Sequence, residues 1–175
     1  FYSISNAQAG LSGINFGNFL IKRVVDSLSK ELPKLKNLAT LSPMPGFRRW
    51  LDARLLEGPF DLLTSEQGQA LMTATLKDSP EAALTELLSW DKWYEDEAVS
   101  NALREPMLRL SAHYLLNEKR GGGTATDSVA HFHLNNGARV EQLNWLADMS
   151  ERGLAQSNGV MLNYLYDIKT IDSNH

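Results

Sequence analysis

Phe1-Tyr2-Ser3-Ile4-Ser5-Asn6-Ala7-Gln8-Ala9-Gly10-Leu11-Ser12-Gly13-Ile14-Asn15-Phe16-Gly17-Asn18 opens the chain. Its first five residues alternate and carry aromatic and β-branched types, which predicts a short strand. Gly10, Gly13 and Gly17 punctuate the loop that follows. Apolar residues then recur every four positions at Phe16, Leu20, Val24, Leu28 and Leu32, with Phe19, Ile21 and Val25 widening the stripe. That period predicts an amphipathic helix, ended by Pro33. Strand, glycine loop and helix in succession point to an α/β fold. A helix start offers unpaired N–H groups and the positive end of a dipole, which suit a pyrophosphate. Glycines let such a ligand approach the backbone. The Rossmann spacing and the Walker lysine are both absent, so a helix start that is merely glycine-rich stays open beside phosphate binding.

Outward from this unit, residues 35–41 read as a second strand. The turn Ser42-Pro43-Met44-Pro45-Gly46 feeds a short helix from Phe47 to Leu56. Its two prolines lock their own φ and restrict the residues before them. Thr64 and Gln67 have capping-box spacing and open a helix to about Lys77. Ser79-Pro80 is a cap followed by proline at the first helical position. Pro106 is expected to start a further helix, with Leu108, Leu110, Ala112, Leu115 and Leu116 toward a core. Residues 60–119 thus read as a helical insertion. Gly121-Gly122-Gly123 is a joint. Ser128 to Leu134 alternates like a strand, residues 138–150 are ambiguous, and Val160 to Ile168 is a strand. On that last strand Tyr164 and Tyr166 share one face, with Asn163 and Leu165 on the other.

Composition narrows the function classes. The 175 residues are 43% apolar and 22% charged, close to a soluble globular average. A net charge of −4 argues against a nucleic-acid scaffold. It leaves a small anionic ligand open, because local backbone donors can outweigh net charge. With no cysteine, disulfides, thiolate nucleophiles and cysteine-type zinc sites are excluded. That fits a reducing compartment. No apolar run approaches the ~20 residues that span a bilayer. No basic-then-apolar signal opens the chain. The expectation is a cytoplasmic protein with no membrane and no nucleic-acid partner. The chain starts in mid-strand without Met, and so reads as a fragment of a longer protein.

Several side chains could carry chemistry. Ser42 is rigidly held, though serine is also a common turn residue. His131 and His133 would share one face of the expected strand. A His-x-His pair can ligate zinc, but no third ligand stands at a diagnostic distance. A histidine with a backbone partner is the bland alternative, and the local sequence does not choose between the two. Tyr164 and Tyr166 read first as half-buried packing residues. Arg48, Arg49 and Arg54 could help hold phosphate, with solvent exposure their default. The charges from Asp91 to Glu97 read as a solvated surface, and Trp90, Trp93 and Tyr94 as packing.

Taken in order, these residues resemble the malonyl-CoA decarboxylase family. The likeness runs through Phe1-Tyr2-Ser3-Ile4-Ser5, Gln8, Gly10, Gly13, Gly17 and Phe19-Leu20-Ile21-Lys22-Arg23-Val24-Val25. It continues through Leu41-Ser42-Pro43-Met44-Pro45-Gly46-Phe47, Met107-Leu108-Arg109-Leu110 and Tyr114-Leu115. Phe132-His133-Leu134, Asn136-Gly137-Ala138, Asn144-Trp145, Ala147-Asp148, Gly153, Ser157, Gly159 and Asn163-Tyr164 complete it. No single piece is decisive; the ordered series is specific.

The resemblance implies a partial catalytic domain over 1–175, with a GNAT-like (acetyltransferase-like) mixed sheet interrupted by the 60–119 insertion. It implies a CoA seat at Ser12, Gly13, Ile14, Asn15, Phe16, Gly17 and Asn18. It implies a catalytic serine at Ser42, a catalytic histidine at His133 rather than His131, and an active-site tyrosine at Tyr166. Animal members carry an acidic residue where this chain has Asn15, so a carboxylate role does not transfer there. The implied reaction converts malonyl-CoA to acetyl-CoA and CO2 through an enolate protonated at C2. No metal, biotin or pyridoxal is needed, because the thioester is itself the electron sink and coenzyme A is part of the substrate. The resemblance further implies homo-oligomers, through an N-terminal helical domain that this chain lacks. Two other readings compete: an acetyl-CoA-dependent N-acyltransferase, and a non-catalytic acyl-CoA-binding module. Fold alone does not separate them.

Overall fold

The computed structural model describes residues 16–167 and 169–170, and only the backbone of residues 16–20. The strand expected at 1–5 lies outside the described residues, as do Ser12, Gly13, Ile14 and Asn15. Phe16, Gly17 and Asn18 form the first turn of α1 (Phe16–Glu31). Ile21 and Val25 bury one side of this helix, four residues apart as its period requires. Leu32, just beyond its end, is 52% exposed and belongs to no core.

Among the described residues four strands follow the chain as β1 (Leu38–Ala39), β2 (Ser42–Pro43), β3 (Arg139–Asn144) and β4 (Met161–Tyr166). All the described pairings are antiparallel, and β4 is their centre. One edge of β4 carries β3, with a bulge between Val140 and Gln142. The other carries β1, with Leu38 opposite Tyr166, and β2, with Ser42 opposite Leu162. The two short strands lie in one register line, interrupted at Thr40 and Leu41. Burial alternates along β4, so Leu162, Tyr164 and Tyr166 face the core together, as the sequence predicts. The strand expected at 35–41 is shifted toward Ser42. Leu35 is instead held in a turn by its N–H on the Leu32 carbonyl, 2.9 Å away.

Helices α2 (Phe47–Leu56), α3 (Ser65–Thr75), α4 (Pro80–Ser89) and α5 (Glu97–Asn117) fill the middle of the chain. The Thr64–Gln67 capping box and the Ser79 cap form as expected. Pro106 does not start a helix. It sits inside α5, which begins nine residues earlier at Glu97, where Asp96 as the cap accepts the N–H groups of Ala98 and Val99. The proline withholds one interior hydrogen bond, and burial of the helix offsets that cost. Val99, Leu103, Met107, Leu110 and Tyr114 form its buried stripe, whereas Leu116 is exposed. This stripe packs with Phe47 and Leu51 of α2, Leu71 of α3 and Leu84 of α4 in one core.

Residues 128–134 are helical, not extended: they form α6 (Ser128–Leu134). The reason lies one residue upstream. Asp127 accepts the N–H groups of Val129 and Ala130, both at 3.0 Å, which caps a helix start. In this short segment the apolar residues suit either period. Ala130 and His133, three apart, are buried together. The ambiguous stretch resolves into β3, and α7 (Glu151–Ser157) then leads back to β4. Among the described residues no helix is long and apolar enough to cross a membrane.

Candidate active site

Three distant pieces of chain meet at one imidazole. Ser42 arrives on β2, paired against β4. His133 arrives near the end of α6, and Tyr166 on the core face of β4. Ser42 Oγ lies 3.3 Å from His133 Nε2. The Tyr166 hydroxyl lies 2.6 Å from His133 Nδ1. Ser42 Oγ also stands 2.9 Å from Thr40 Oγ1. All three site side chains are buried. The arrangement holds both ring nitrogens, one on a serine hydroxyl and the other on a phenol. Such a ring can take a proton at one nitrogen and give one up at the other.

The backbone on each side is fixed by its own devices. Past His133 the chain turns sharply, and its carbonyl accepts the N–H groups of Asn136 and Ala138, each at 3.1 Å. Gly137 supplies the positive φ of that turn, +79°. On the other side, Asp127 joins the two halves of the site. One carboxyl oxygen caps α6; the other lies 3.4 Å from both the Gly46 N–H and the Tyr114 hydroxyl. Asp127 is only 2% exposed. A Cβ on Gly46 would collide with the Tyr114 hydroxyl, so the turn after Ser42 needs glycine there. Burial raises the Tyr114 pKa, and the Asp127 carboxylate beside it adds to the effect.

Aromatic rings wall in His133. Tyr164 stacks on it with centroids 4.4 Å apart and planes 26° from parallel. Phe132 and Tyr166 meet it edge-on. Burial pushes the His133 pKa down from 6.5 to about 4, so the free imidazole is neutral at pH 7. Burial pushes the phenols of Tyr164 and Tyr166 up, and both stay protonated.

A stability prediction follows from the histidine. Above about pH 6.5 its imidazole is neutral in both folded and unfolded chains. Between there and about pH 4 the unfolded chain binds the proton and the folded one does not. Stability therefore falls as pH is lowered through that window. Melting temperatures taken from about pH 7 to about pH 4 should decline less steeply for a His133→Gln variant than for the wild type. Parallel declines would show that His133 contributes nothing to the acid sensitivity.

Ser42, His133 and Tyr166 are thus brought together. His131 is not among them. On a helix, residues two apart point to nearly opposite sides, and the His131 ring sits against Asn135 Nδ2, 3.1 Å from Nε2. The expected shared strand face is corrected with the strand itself. Among the described residues no group of three or more metal-ligating side chains is placed to hold an ion. Arg48 is engaged by Asp52 and Asn158, and Arg54 by Glu57. Sequence reasoning missed Thr40, Asp127 and the stacking of Tyr164. An Asp directly before Ser-Val-Ala is an N-cap signal and could have revealed both α6 and Asp127.

The whole chain, residues 1–175, matches the family model described as "Malonyl-CoA decarboxylase C-terminal domain". It is 44% identical over 179 aligned residues to a protein of Anser anser anser named "Malonyl-CoA decarboxylase, mitochondrial", and 42% identical to one of that name from Mus musculus. In each case 99% of this chain is covered, but only 35% and 36% of the relative. The chain thus spans about a third of the length of these relatives. A malonyl-CoA decarboxylase crystal structure from Rhodopseudomonas palustris superposes with a TM-score of 0.83 at 42% identity, covering 99% of this chain and 36% of that one. One from Cupriavidus metallidurans gives 0.79 at 47% identity, covering 99% and 42%. The relatives' names overturn the expected cytoplasmic location, since both vertebrate proteins are named mitochondrial. Absent targeting signals carried no information in a chain spanning a third of its relatives. Matched over its full length, the chain belongs to the malonyl-CoA decarboxylase family, in its C-terminal domain.

Proposed function

We propose that the protein carrying this chain decarboxylates malonyl-CoA to acetyl-CoA and CO2, with Ser42, His133 and Tyr166 as its catalytic group. The observation that supports this most is the continuous contact from Ser42 Oγ through both nitrogens of His133 to the Tyr166 hydroxyl. The bond from C2 to the carboxylate carbon breaks, and its electron pair passes into an enolate delocalised onto the thioester oxygen. CO2 leaves. His133 then delivers the Nε2 proton to C2, and one proton from solvent restores the imidazole in each turnover. Ser42 hydrogen-bonds the malonyl carboxylate beside Nε2, and Tyr166 orients the ring from Nδ1. Backbone N–H groups of Ser12, Gly13, Ile14, Asn15, Phe16, Gly17 and Asn18 hold the CoA phosphates. No further cofactor enters, since the thioester accepts the electrons.

Release of labelled CO2 from carboxyl-labelled malonyl-CoA by the full-length protein tests this reading. The expected result is one acetyl-CoA formed per CO2. A folded, CoA-binding protein that releases none would overturn it. If that protein also moved acetyl groups to amines, N-acyltransfer would take its place.

A further inference from the structure

We infer that Thr40 fixes the direction of the hydrogen-bond chain through the site, and so holds the neutral His133 with its hydrogen on Nε2. The argument starts at the far end of the chain of contacts. Tyr166 is 3% exposed, and its hydroxyl carries one hydrogen. Among the described residues its hydrogen-bond partner is His133 Nδ1, at 2.6 Å. A buried hydroxyl hydrogen left without an acceptor is costly. Tyr166 therefore donates, and Nδ1 receives with its lone pair. A neutral imidazole with a bare Nδ1 carries its hydrogen on Nε2. That N–H points at Ser42 Oγ, 3.3 Å away.

In the substrate-free site Ser42 is then an acceptor from His133, and its own hydrogen needs another destination. Thr40 Oγ1, at 2.9 Å, provides it. The threonine oxygen is held in place by the Tyr164 backbone N–H, 3.2 Å away. In a regular antiparallel ladder that N–H would go to the Thr40 carbonyl, since the Thr40 N–H already bonds the Tyr164 carbonyl at 3.0 Å. Here the carbonyl is taken by Asn163 Nδ2, at 2.6 Å. Asn163 is itself held by Asn144 at 2.8 Å, and Asn144 by Gln142 at 2.8 Å. This line of amides across β3 and β4 leaves the Tyr164 N–H to the threonine hydroxyl. The break between β1 and β2 is where that substitution occurs. Thr40 thus accepts twice, from Tyr164 and from Ser42, its own hydrogen is left to solvent because the residue is only half-buried, and the hydrogens from Tyr166 and from His133 to Ser42 and on to Thr40 run one way.

Thr40 is a positioning residue. It acts through Ser42 and touches no reacting atom. Its catalytic consequence rests on the decarboxylase reading, because only proton delivery from Nε2 to C2 makes the tautomer matter for turnover. The tautomer itself is independent of that reading.

Nitrogen NMR of full-length protein labelled with 15N-histidine reads the tautomer directly, with the His133 signal identified by its loss in His133→Gln. The wild type is expected to show a bare Nδ1 and a protonated Nε2. In Thr40→Val the Ser42 hydrogen loses its acceptor and turns to Nε2, so the Nδ1–H form rises to about half or more. Thr40→Ser keeps the wild-type spectrum. Adding Ser42→Ala to Thr40→Val removes the competing hydrogen and restores Nε2–H, a rescue that general disruption of the strand would not give. Turnover of malonyl-CoA falls about tenfold in Thr40→Val, with KM within about twofold, and recovers in Thr40→Ser. A wild-type His133 protonated on Nδ1 overturns the inference. So does a wild-type tautomer in Thr40→Val or, if valine does not fold, in Thr40→Ala. If the wild type releases no CO2, the decarboxylase reading fails, and the spectra still decide the tautomer.

Discussion

Replacing His133 with alanine in the full-length protein is expected to lower CO2 release from malonyl-CoA by about 10²–10⁴-fold, the span ordinarily supplied by a positioned general acid or base. Loss at the upper end is favoured by the surroundings. The ring is buried among Phe132, Tyr164 and Tyr166, and no second titratable nitrogen stands within hydrogen-bond reach of Ser42 among the described residues. Water admitted to the gap would be a poor and badly placed donor. KM should change much less than kcat, because the CoA phosphates are expected to bind elsewhere, at residues 12–18. The alanine variant also leaves a cavity against Tyr164, so thermal unfolding must accompany the kinetics. His133→Gln fills more of that space and should be equally slow. A folded variant within about tenfold of wild-type turnover would remove His133 from the mechanism.

Asp127→Ala is expected to cost about 2–4 kcal/mol of folding stability, the largest stability effect near the site. Two losses combine. An N-cap removed to alanine costs about 0.5–2 kcal/mol. Leaving the Tyr114 hydroxyl and the Gly46 N–H without their acceptor adds about 1–3 kcal/mol. Asp127→Asn should recover the cap but not the second pair of contacts, since its amide presents donors where an acceptor is required. Denaturant unfolding of the three proteins would separate the two parts, with the midpoint moving and the slope unchanged. Turnover should fall as well, because Asp127 is the residue that ties the turn after Ser42 to the helix bearing His133. An alanine variant less than about 1 kcal/mol below wild type would show that the joint is unimportant.

The sequence was most legible where local chemistry decides structure. The Thr64–Gln67 box, the Ser79-Pro80 cap and the alternation along β4 form where the residues say they should. The separate segments around Ser42, His133 and Tyr166 could be picked out, and the family resemblance named their members. Their meeting in space could not be read from local pattern, because it depends on pairing across 91 and 33 residues. Two elements were misread. Residues 128–134 alternate over too short a span to separate the periods, and the Asp127 cap decides for helix. Pro106 looked like a helix start because its backbone cost was weighed alone, without the burial of α5 on both sides of it. Thr40 was invisible for another reason. Its role depends on Asn163 and Asn144 diverting a carbonyl, and nothing beside Thr40 in the chain announces that.

The central position of β4 has a consequence in time as well as space. It is the last described strand, and β1, β2 and β3 all pair with it and not with one another. During synthesis β1, β2 and β3 all emerge before β4, the strand with which each of them pairs among the described residues. The site is completed only when residues 161–166, which carry Tyr166 and pair with β2, arrive and dock. Long loops must close at that late step, which slows folding of topologies of this kind. Until then β1, β2 and β3 wait without β4 and the parts of the site precede the site, a state exposed to wrong strand pairing.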